Sequence, residues 1–177
     1  MNRRNFSLGL FSAVLATNMP KASSAWGINN TRAVKLYNIH NKEKIHTVYW
    51  RNGYYDSDGI LKLTNFFRDI RTGGVHHIDP VVFDIIWTLQ EELNLTESGL
   101  QLVSGYRSPE TNAMLRKRSK GVAKNSLHMR GLAADITSYD VKLSTLKNTA
   151  KSLKEGGVGY YPKSHFVHVD TGDLRYW

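Results

Sequence analysis

Three side chains that suit a metal ion lie far apart along this chain, and only a specific fold can bring them together. His128 is followed by Asp135 after six intervening residues, and His168 comes much later, in the run FVHVD. Two imidazoles and one carboxylate form a donor set that suits zinc, and three protein ligands leave the fourth tetrahedral position open for water. A structural zinc site normally has four protein ligands, so this set favours a catalytic centre. The fold must therefore place a loop and a distant strand side by side.

The local sequence favours a buried site, although the spacing alone does not. A chain with 7 His and 15 Asp plus Glu contains a His–Asp pair at this spacing readily by chance. Asp135 follows GLAA, small and apolar residues that allow close backbone approach and begin a strand. His168 and Asp170 alternate with valines, which predicts that both lie on one face of a buried strand. Polar groups buried there need a partner.

The order of predicted elements indicates a single α+β domain, and 177 residues suffice for one such core. Asp79-Pro80 and Ser108-Pro109 each supply an N-cap and a first-turn proline for a helix. Apolar periodicity and turn signals predict strands over 34–39, 45–50, 100–104, 133–137, 158–161 and 166–170, and helices over 61–71, 80–94, 109–119 and 143–153. We expect a small antiparallel sheet, flanked by helices, that carries the metal site on strand ends and loops.

Residues 1–25 have the features of an export signal. Arg3 and Arg4 precede an apolar run at 6–16 that is too short to span a bilayer, and SSA at 23–25 supplies a small-residue cleavage pattern. The segment RRNF also resembles a twin-arginine signal, with an ordinary secretory signal as the alternative. We therefore expect cleavage near Ala25, a leader over 26–33 and a domain over 34–177. The mature protein is expected in the periplasm without a stable membrane span.

Composition narrows the classes of function. The chain has no Cys, which excludes disulfides, thiolate metal sites and cysteine nucleophiles. Removal of residues 1–25 leaves 21 Lys plus Arg and 15 Asp plus Glu, a formal charge of +6. Outside the cytoplasm, such a basic surface suits the anionic cell wall. The sequence has no recognisable nucleic-acid-binding motif, so we expect no nucleic-acid partner.

Four motifs, in the same order, resemble those of the zinc D-Ala-D-Ala metallopeptidases. They are SGYRS at 104–108, SLHMRGLAAD at 126–135, GGVGYY at 156–161 and HVDTG at 168–172. The similarity extends over roughly residues 35–177 and is greatest to the exported murein endopeptidase branch. The resemblance implies one zinc ion per chain, held by His128, Asp135 and His168. It also implies an enzyme that hydrolyses peptide cross-links of peptidoglycan, with the peptide stems as its partner.

Arg107 is the candidate for stabilising the oxyanion. It follows a strand end in SGYRS, and the resemblance implies that this arginine faces the zinc. A fixed guanidinium there would stabilise a developing oxyanion or hold a substrate carboxylate.

The general base is an open question at the level of sequence. Carboxypeptidases and dipeptidases of the resembled family have a glutamate a few residues before the last ligand histidine, and this chain has no carboxylate there. His165 is one candidate, because an ordinary histidine pKa of about 6.5 suits neutral pH. Asp170 is the other, either as the proton acceptor or as a carboxylate that orients a ligand imidazole.

Two other functions stay open beside the endopeptidase. A D-Ala-D-Ala carboxypeptidase or dipeptidase would use the same metal centre and would need a basic group to hold the terminal carboxylate. A catalytically inactive zinc-binding or cell-wall-binding module would explain the missing glutamate. Digestion of cross-linked and monomeric muropeptides distinguishes the three.

Overall fold

The computed structural model describes residues 31–119 and 121–177. The predicted export signal over 1–25 and most of the predicted leader lie outside these residues, and the last three leader residues belong to the first strand. Within the described ranges, no helix combines the length and the apolar character needed to cross a membrane.

In the described part of the chain, one mixed eight-stranded sheet forms the centre of the domain. Its strands are β1 Thr31–Asn38, β2 Lys44–Arg51, β3 Tyr54–Tyr55, β4 Leu100–Ser104, β5 Ala133–Thr137, β6 Gly157–Tyr161, β7 Phe166–Asp170 and β8 Arg175–Tyr176. They lie in the order β3-β2-β1-β4-β5-β7-β6-β8. The α+β class is confirmed. The sheet is larger than expected and mixed, because β1 pairs with β4, and β6 with β8, in parallel.

The helices are α1 Ser57–Phe66, α2 Pro80–Glu92, α3 Pro109–Arg118 and α4 Leu143–Leu153, with a short 3-10 turn at Leu127–Arg130. Helices α1, α2 and α3 begin where the sequence supplies a capping side chain, whereas α4 begins after Lys142 without one. The predicted caps at Asp79 and Ser108 are confirmed, since their side chains accept backbone N–H groups of α2 and α3. Helix α1 begins and ends earlier than the predicted 61–71, because the Asp56 carboxylate caps it by accepting the Gly59 N–H at 2.8 Å.

The core lies where α1, α2 and α4 pack against the sheet. Helix α2 contributes Phe83, Ile86 and Leu89, which lie at helical spacing and are fully buried. Phe83 packs edge-on against Phe67 and Tyr49, with ring centroids 5.3 and 6.0 Å away. This layer supports the sheet from one side.

The pairing of the central strands determines where the polar side chains lie. Strands β5 and β7 are antiparallel neighbours, and Asp135 of β5 is directly opposite His168 of β7. Opposite residues of an antiparallel pair place their side chains on the same face. Ser104 of β4 is paired with Asp135, and Gly159 of β6 with His168. The four residues thus form one row across the neighbouring strands β4, β5, β7 and β6.

Candidate metal centre

Two histidines and one aspartate converge on a single point above the centre of the sheet. The Nε2 atom of His128 lies 3.1 Å from both Asp135 Oδ1 and His168 Nδ1, and these last two atoms are 2.8 Å apart. All three residues are buried, with exposed fractions of 2%, 5% and 8% in chain order. The sequence pattern thus corresponds to a real cluster in space, which has the composition and spacing of a metal site.

Each of the three side chains is held by its backbone. The pairing of β5 with β7 places Asp135 beside His168. His128 comes from the 3-10 turn at 127–130, which ends at Gly131 with a φ of 68°. A side chain at Gly131 would overlap the carbonyl oxygen of His77, so only glycine lets the turn dock there.

The remaining nitrogen of each imidazole is occupied by a hydrogen bond that faces away from the cluster. His128 Nδ1 lies 2.7 Å from the carbonyl oxygen of Gly105, and His168 Nε2 lies 2.9 Å from Asp170 Oδ2. Because both partners are acceptors, these nitrogens donate, and the neutral rings present His128 Nε2 and His168 Nδ1 as lone pairs. With both rings neutral, the cluster consists of three acceptor atoms that face one another, an arrangement that needs one positive charge, either a proton on His168 or a metal ion.

The charge states of the cluster lead to the same conclusion. Burial lowers the pKa of His168, but hydrogen bonds to Asp135 and Asp170 outweigh burial and raise that pKa to about 9. Burial raises the pKa of Asp135, but His128 and His168 outweigh it and hold that pKa well below its usual range. Burial holds the pKa of His128 below its usual value. The carboxylate stays ionised, and the cluster attracts one positive charge.

The donor set and its spacing fit zinc. Zinc–ligand distances of about 2.0–2.1 Å place neighbouring ligands of a tetrahedral site roughly 3.3 Å apart. The observed separations of 2.8 to 3.1 Å are close to that value. A proton would satisfy one pair of these atoms, whereas a metal ion would satisfy all three at once.

Arg107 lies beside the cluster, as the sequence analysis expected. Its Nη2 atom is 3.3 Å from Asp135 Oδ2 and 3.4 Å from Ser104 Oγ, and its side chain is 11% exposed. The buried Nε atom of Arg107 has no hydrogen-bond partner among the described residues. An N–H group of a buried guanidinium thus remains available for a bound molecule.

Asp170 is a fully engaged carboxylate behind the cluster. Its Oδ2 atom accepts hydrogen bonds from His168 Nε2 at 2.9 Å and from Arg175 Nη2 at 2.7 Å. Its Oδ1 atom accepts the backbone N–H groups of Gly157 and Gly172 at 3.1 and 2.9 Å. This geometry suits a carboxylate that orients His168.

His165 lies apart from the cluster. It belongs to the exposed turn between β6 and β7. Its neighbours Ser164 and Phe166 line the cleft described below, and His165 does not. Of the two candidates for the general base, neither has a side chain that lines this cleft.

A cleft of about 420 Å³ opens above the cluster, and Trp177 forms part of its wall. The indole ring lies 5.4 Å from the His168 ring, and its Nε1 donates to the Tyr161 hydroxyl at 2.8 Å. A Cβ atom at Gly159 would lie only 2.6 Å from the indole. Trp177 was not predicted from the sequence, although a glycine inside a strand is a signal that another group approaches closely.

The comparisons with known proteins cover nearly the whole chain. A family model described as peptidoglycan L,D-endopeptidase MepK matches residues 27–177. The chain is 41% identical over 180 residues to the peptidoglycan L,D-endopeptidase MepK of Escherichia coli K12, which covers 99% of this chain and 97% of that protein. It is 41% identical over 146 residues to the probable peptidoglycan L,D-endopeptidase MepK of Haemophilus influenzae Rd, covering 82% of this chain and 78% of that protein. The residues matched by the family model include the whole cluster and its cleft.

Proposed function

Because the chain belongs to the family of the peptidoglycan L,D-endopeptidase MepK, we propose that it is a zinc-dependent endopeptidase that hydrolyses peptide cross-links of peptidoglycan. One observation carries the proposal: three buried acceptor atoms converge at the floor of an open cleft. The names of the relatives support an L,D bond as the one that is cut, a choice that the sequence motifs left open.

The proposed metal ligands are His128 Nε2, Asp135 Oδ1 and His168 Nδ1. When bound, zinc polarises a carbonyl oxygen and lowers the pKa of bound water to about 7. The contribution of the chain is to fix the three ligands by strand pairing and by the hydrogen bonds of the outward-facing ring nitrogens. A preorganised ligand set needs no rearrangement when substrate arrives.

Arg107 is proposed to stabilise negative charge on the oxygen of the scissile carbonyl. Its guanidinium is buried beside Asp135, so water screens it less than a surface arginine. Its backbone is fixed as well, because the Arg107 N–H donates to the carbonyl oxygen of His128 at 3.2 Å. A donor held in place before the reaction loses no free energy to reorganisation.

Asp170 is proposed as a positioning residue that keeps His168 in the ligand tautomer. Five hydrogen bonds from four residues hold the carboxylate in place. Burial raises the pKa of Asp170, but His168, the Gly172 N–H and Arg175 outweigh burial and hold that pKa below its usual range. The role of general base therefore falls less naturally to Asp170. His165 is the alternative only if the turn between β6 and β7 moves towards the cleft.

The proposed location is the periplasm, after cleavage of residues 1–25 near Ala25 and export by the twin-arginine route. The RRNF segment and the short apolar run that follows support this proposal. The domain then comprises residues 34–177 together with the first residues of β1. Mass spectrometry of the protein from the exported fraction would give the mature N-terminus, and an N-terminus at Met1 would contradict cleavage.

The function is tested by incubating the zinc-loaded protein with purified cross-linked and monomeric muropeptides and identifying the products by mass spectrometry. We expect cross-linked dimers to be converted into monomers, and the His128→Ala variant to leave them intact. Trimming of monomeric pentapeptides alone would indicate a carboxypeptidase. Zinc binding with every muropeptide intact would indicate a binding module.

A further inference from the structure

The cleft above the metal centre is rich in guanidinium groups. Arg71, Arg107 and Arg175 all line it, and Asp135 is the one acidic residue among the described residues that do so. Two of the three arginines already face carboxylates. Arg107 lies 3.3 Å from Asp135, and Arg175 lies 2.7 Å from Asp170.

Arg71 differs from the other two because nothing in the described part of the chain pairs with its side chain. No described carboxylate lies within ion-pair distance of its guanidinium, and no described acceptor forms a hydrogen bond with it. After burial, which is the main cause, the charge of Arg71 is one of the influences that hold the pKa of Arg107 below its usual value. Both guanidiniums line the cleft, and of the two only Arg107 has a described carboxylate within ion-pair distance.

The backbone holds Arg71 in this place. It lies on a turn that is closed by two hydrogen bonds, from the Gly73 N–H to the Asp69 carbonyl at 2.7 Å and from the Asp69 N–H to the Gly74 carbonyl at 2.9 Å. Inside the turn, Asp69 Oδ1 accepts the Arg71 N–H at 2.9 Å. Such a closed turn limits the positions that the Arg71 side chain can reach.

The same buried carboxylate links the two arginines. Asp69 Oδ2 accepts the N–H of Ser108, the residue after Arg107, at 2.8 Å, and Asp69 is 2% exposed. The Asp69 side chain thus fixes the backbone beside Arg71 and Arg107, two of the three arginines that line the cleft. This arrangement suits a site that presents two positive charges at a set separation.

We infer that Arg71 binds a free carboxylate of the peptide stem next to the scissile amide, and so determines which stems the enzyme accepts. The inference rests on the proposed function. Peptide stems with free carboxylates supply the partner that the Arg71 guanidinium lacks, and a guanidinium can hold a carboxylate through two parallel hydrogen bonds. Arg107 acts on the reacting carbonyl, whereas Arg71 recognises a group that does not react.

The test compares Arg71→Gln, Arg71→Lys and Arg51→Gln by steady-state kinetics. Arg51, on β2, is exposed and does not line the cleft, so its replacement removes the same charge at a distance from the substrate. Each variant is assayed on a cross-linked muropeptide dimer and on the same dimer with its free carboxylates converted to primary amides. Thermal unfolding of each variant confirms that it is folded.

On the dimer with free carboxylates, we expect Arg71→Gln to raise KM about tenfold, the effect of one charge-assisted hydrogen bond, with kcat changed less than about twofold. Arg71→Lys keeps the charge but loses the paired hydrogen bonds, so we expect a rise of about threefold. Arg51→Gln should match the wild type. On the amidated dimer, the difference between wild type and Arg71→Gln should disappear.

An equal KM for wild type and Arg71→Gln on the free-carboxylate dimer would overturn the inference, as would a difference that persists after amidation. In either case, cleavage by the wild type would still support the proposed function. If the zinc-loaded wild type cleaves neither dimer, the proposed function fails and the inference falls with it.

Discussion

Two aspartates of this domain each collect three polar partners, yet their surroundings are chemically opposite. Asp84, on α2, accepts hydrogen bonds from Arg32 Nη1 at 2.8 Å, from the Tyr49 hydroxyl at 2.8 Å and from the Tyr55 hydroxyl at 2.6 Å. Burial and the charge of Asp84 raise the pKa of both tyrosines, so both hydroxyls stay protonated and donate. Every neighbour of this carboxylate is a donor.

Asp135 has as many neighbours, but two of them are imidazole nitrogens whose protons lie on the other side of the ring. His128 donates to Gly105 and His168 donates to Asp170, so neither ring in its neutral form has a proton for Asp135. The Asp84 side chain is 22% exposed and that of Asp135 6%, but the number of contacts does not separate the two aspartates. The count of donors and acceptors does, because the first cluster is complete and the second requires a cation.

The largest expected effect comes from breaking the acceptor cluster. Asp135→Ala removes one of the three proposed ligands, so we expect zinc content to fall from one ion per chain to none and hydrolysis to fall at least about a thousandfold. Elemental analysis and muropeptide digestion measure both. Asp84→Ala is the matched control, and it should keep its zinc. Full zinc occupancy in Asp135→Ala would contradict the assignment of the ligands.

A smaller effect is expected from Asp170, which lies outside the cluster and accepts a hydrogen bond from His168. In the Asp170→Asn variant, His168 loses its charged hydrogen-bond acceptor. Loss of a carboxylate that orients a ligand imidazole typically lowers metal affinity roughly 10–100-fold. Competition with a chromogenic chelator measures this affinity.

His165→Ala should keep nearly normal zinc affinity and turnover, because its side chain lies outside the cleft. Loss of turnover in His165→Ala with normal zinc binding would instead support His165 as the general base.

Substitutions in the cluster around Asp84 should change the stability of the protein and leave zinc binding unchanged. Asp84→Ala leaves two tyrosine hydroxyls and one guanidinium without their carboxylate, so we expect the free energy of unfolding to fall by about 3 kcal/mol. Tyr49→Phe removes a single hydrogen bond and should cost about 1 kcal/mol. Urea unfolding measures both values. A loss of zinc in either variant would mean that the two clusters are coupled.

The smallest expected effect is on the pH dependence of stability, through a third aspartate, Asp69. Like that of Asp84, its carboxylate is surrounded by hydrogen-bond donors. Burial raises the pKa of Asp69, but hydrogen bonds from Thr111, Ser108 and Arg71 outweigh burial and lower that pKa to about 2. Because the folded-state pKa is depressed below its ordinary value of 3.8, Asp69 stabilises the fold above pH 4. That contribution is lost as the pH falls towards 2. Unfolding curves should therefore depend less on pH in this range for Asp69→Asn, and an unchanged slope would contradict this.

The sequence predicted the parts of the molecule that depend on local chemistry. The caps at Asp79 and Ser108 were predicted because an acceptor followed by proline is a local signal. The proposed ligands and Arg107 were predicted because each lies in a contiguous motif of the resembled family, and the structure brings these motifs together. Helix α1 was displaced in the prediction because its cap, Asp56, lies before the apolar stripe begins.

The remaining parts depend on contacts between distant segments. Strands β3 and β8 have two residues each, which is too short for any periodicity to appear. The parallel pairing of β1 with β4 is decided by packing of the whole sheet. Asp69 is an acid in a loop, so in the sequence it resembles a solvated surface residue, and only its partner Ser108, 39 positions later, explains its burial.

The pairing of Asp135 with His168 across β5 and β7 has one more consequence, for quality control. If either strand slipped by a single residue, its side chains would turn to the opposite face, and two of the three ligands would separate. A misfolded molecule would therefore lose its cutting activity at once. For a hydrolase that is proposed to act on the wall of its own cell, this register makes activity depend on correct folding. Only a molecule with the native strand pairing holds the proposed ligands together.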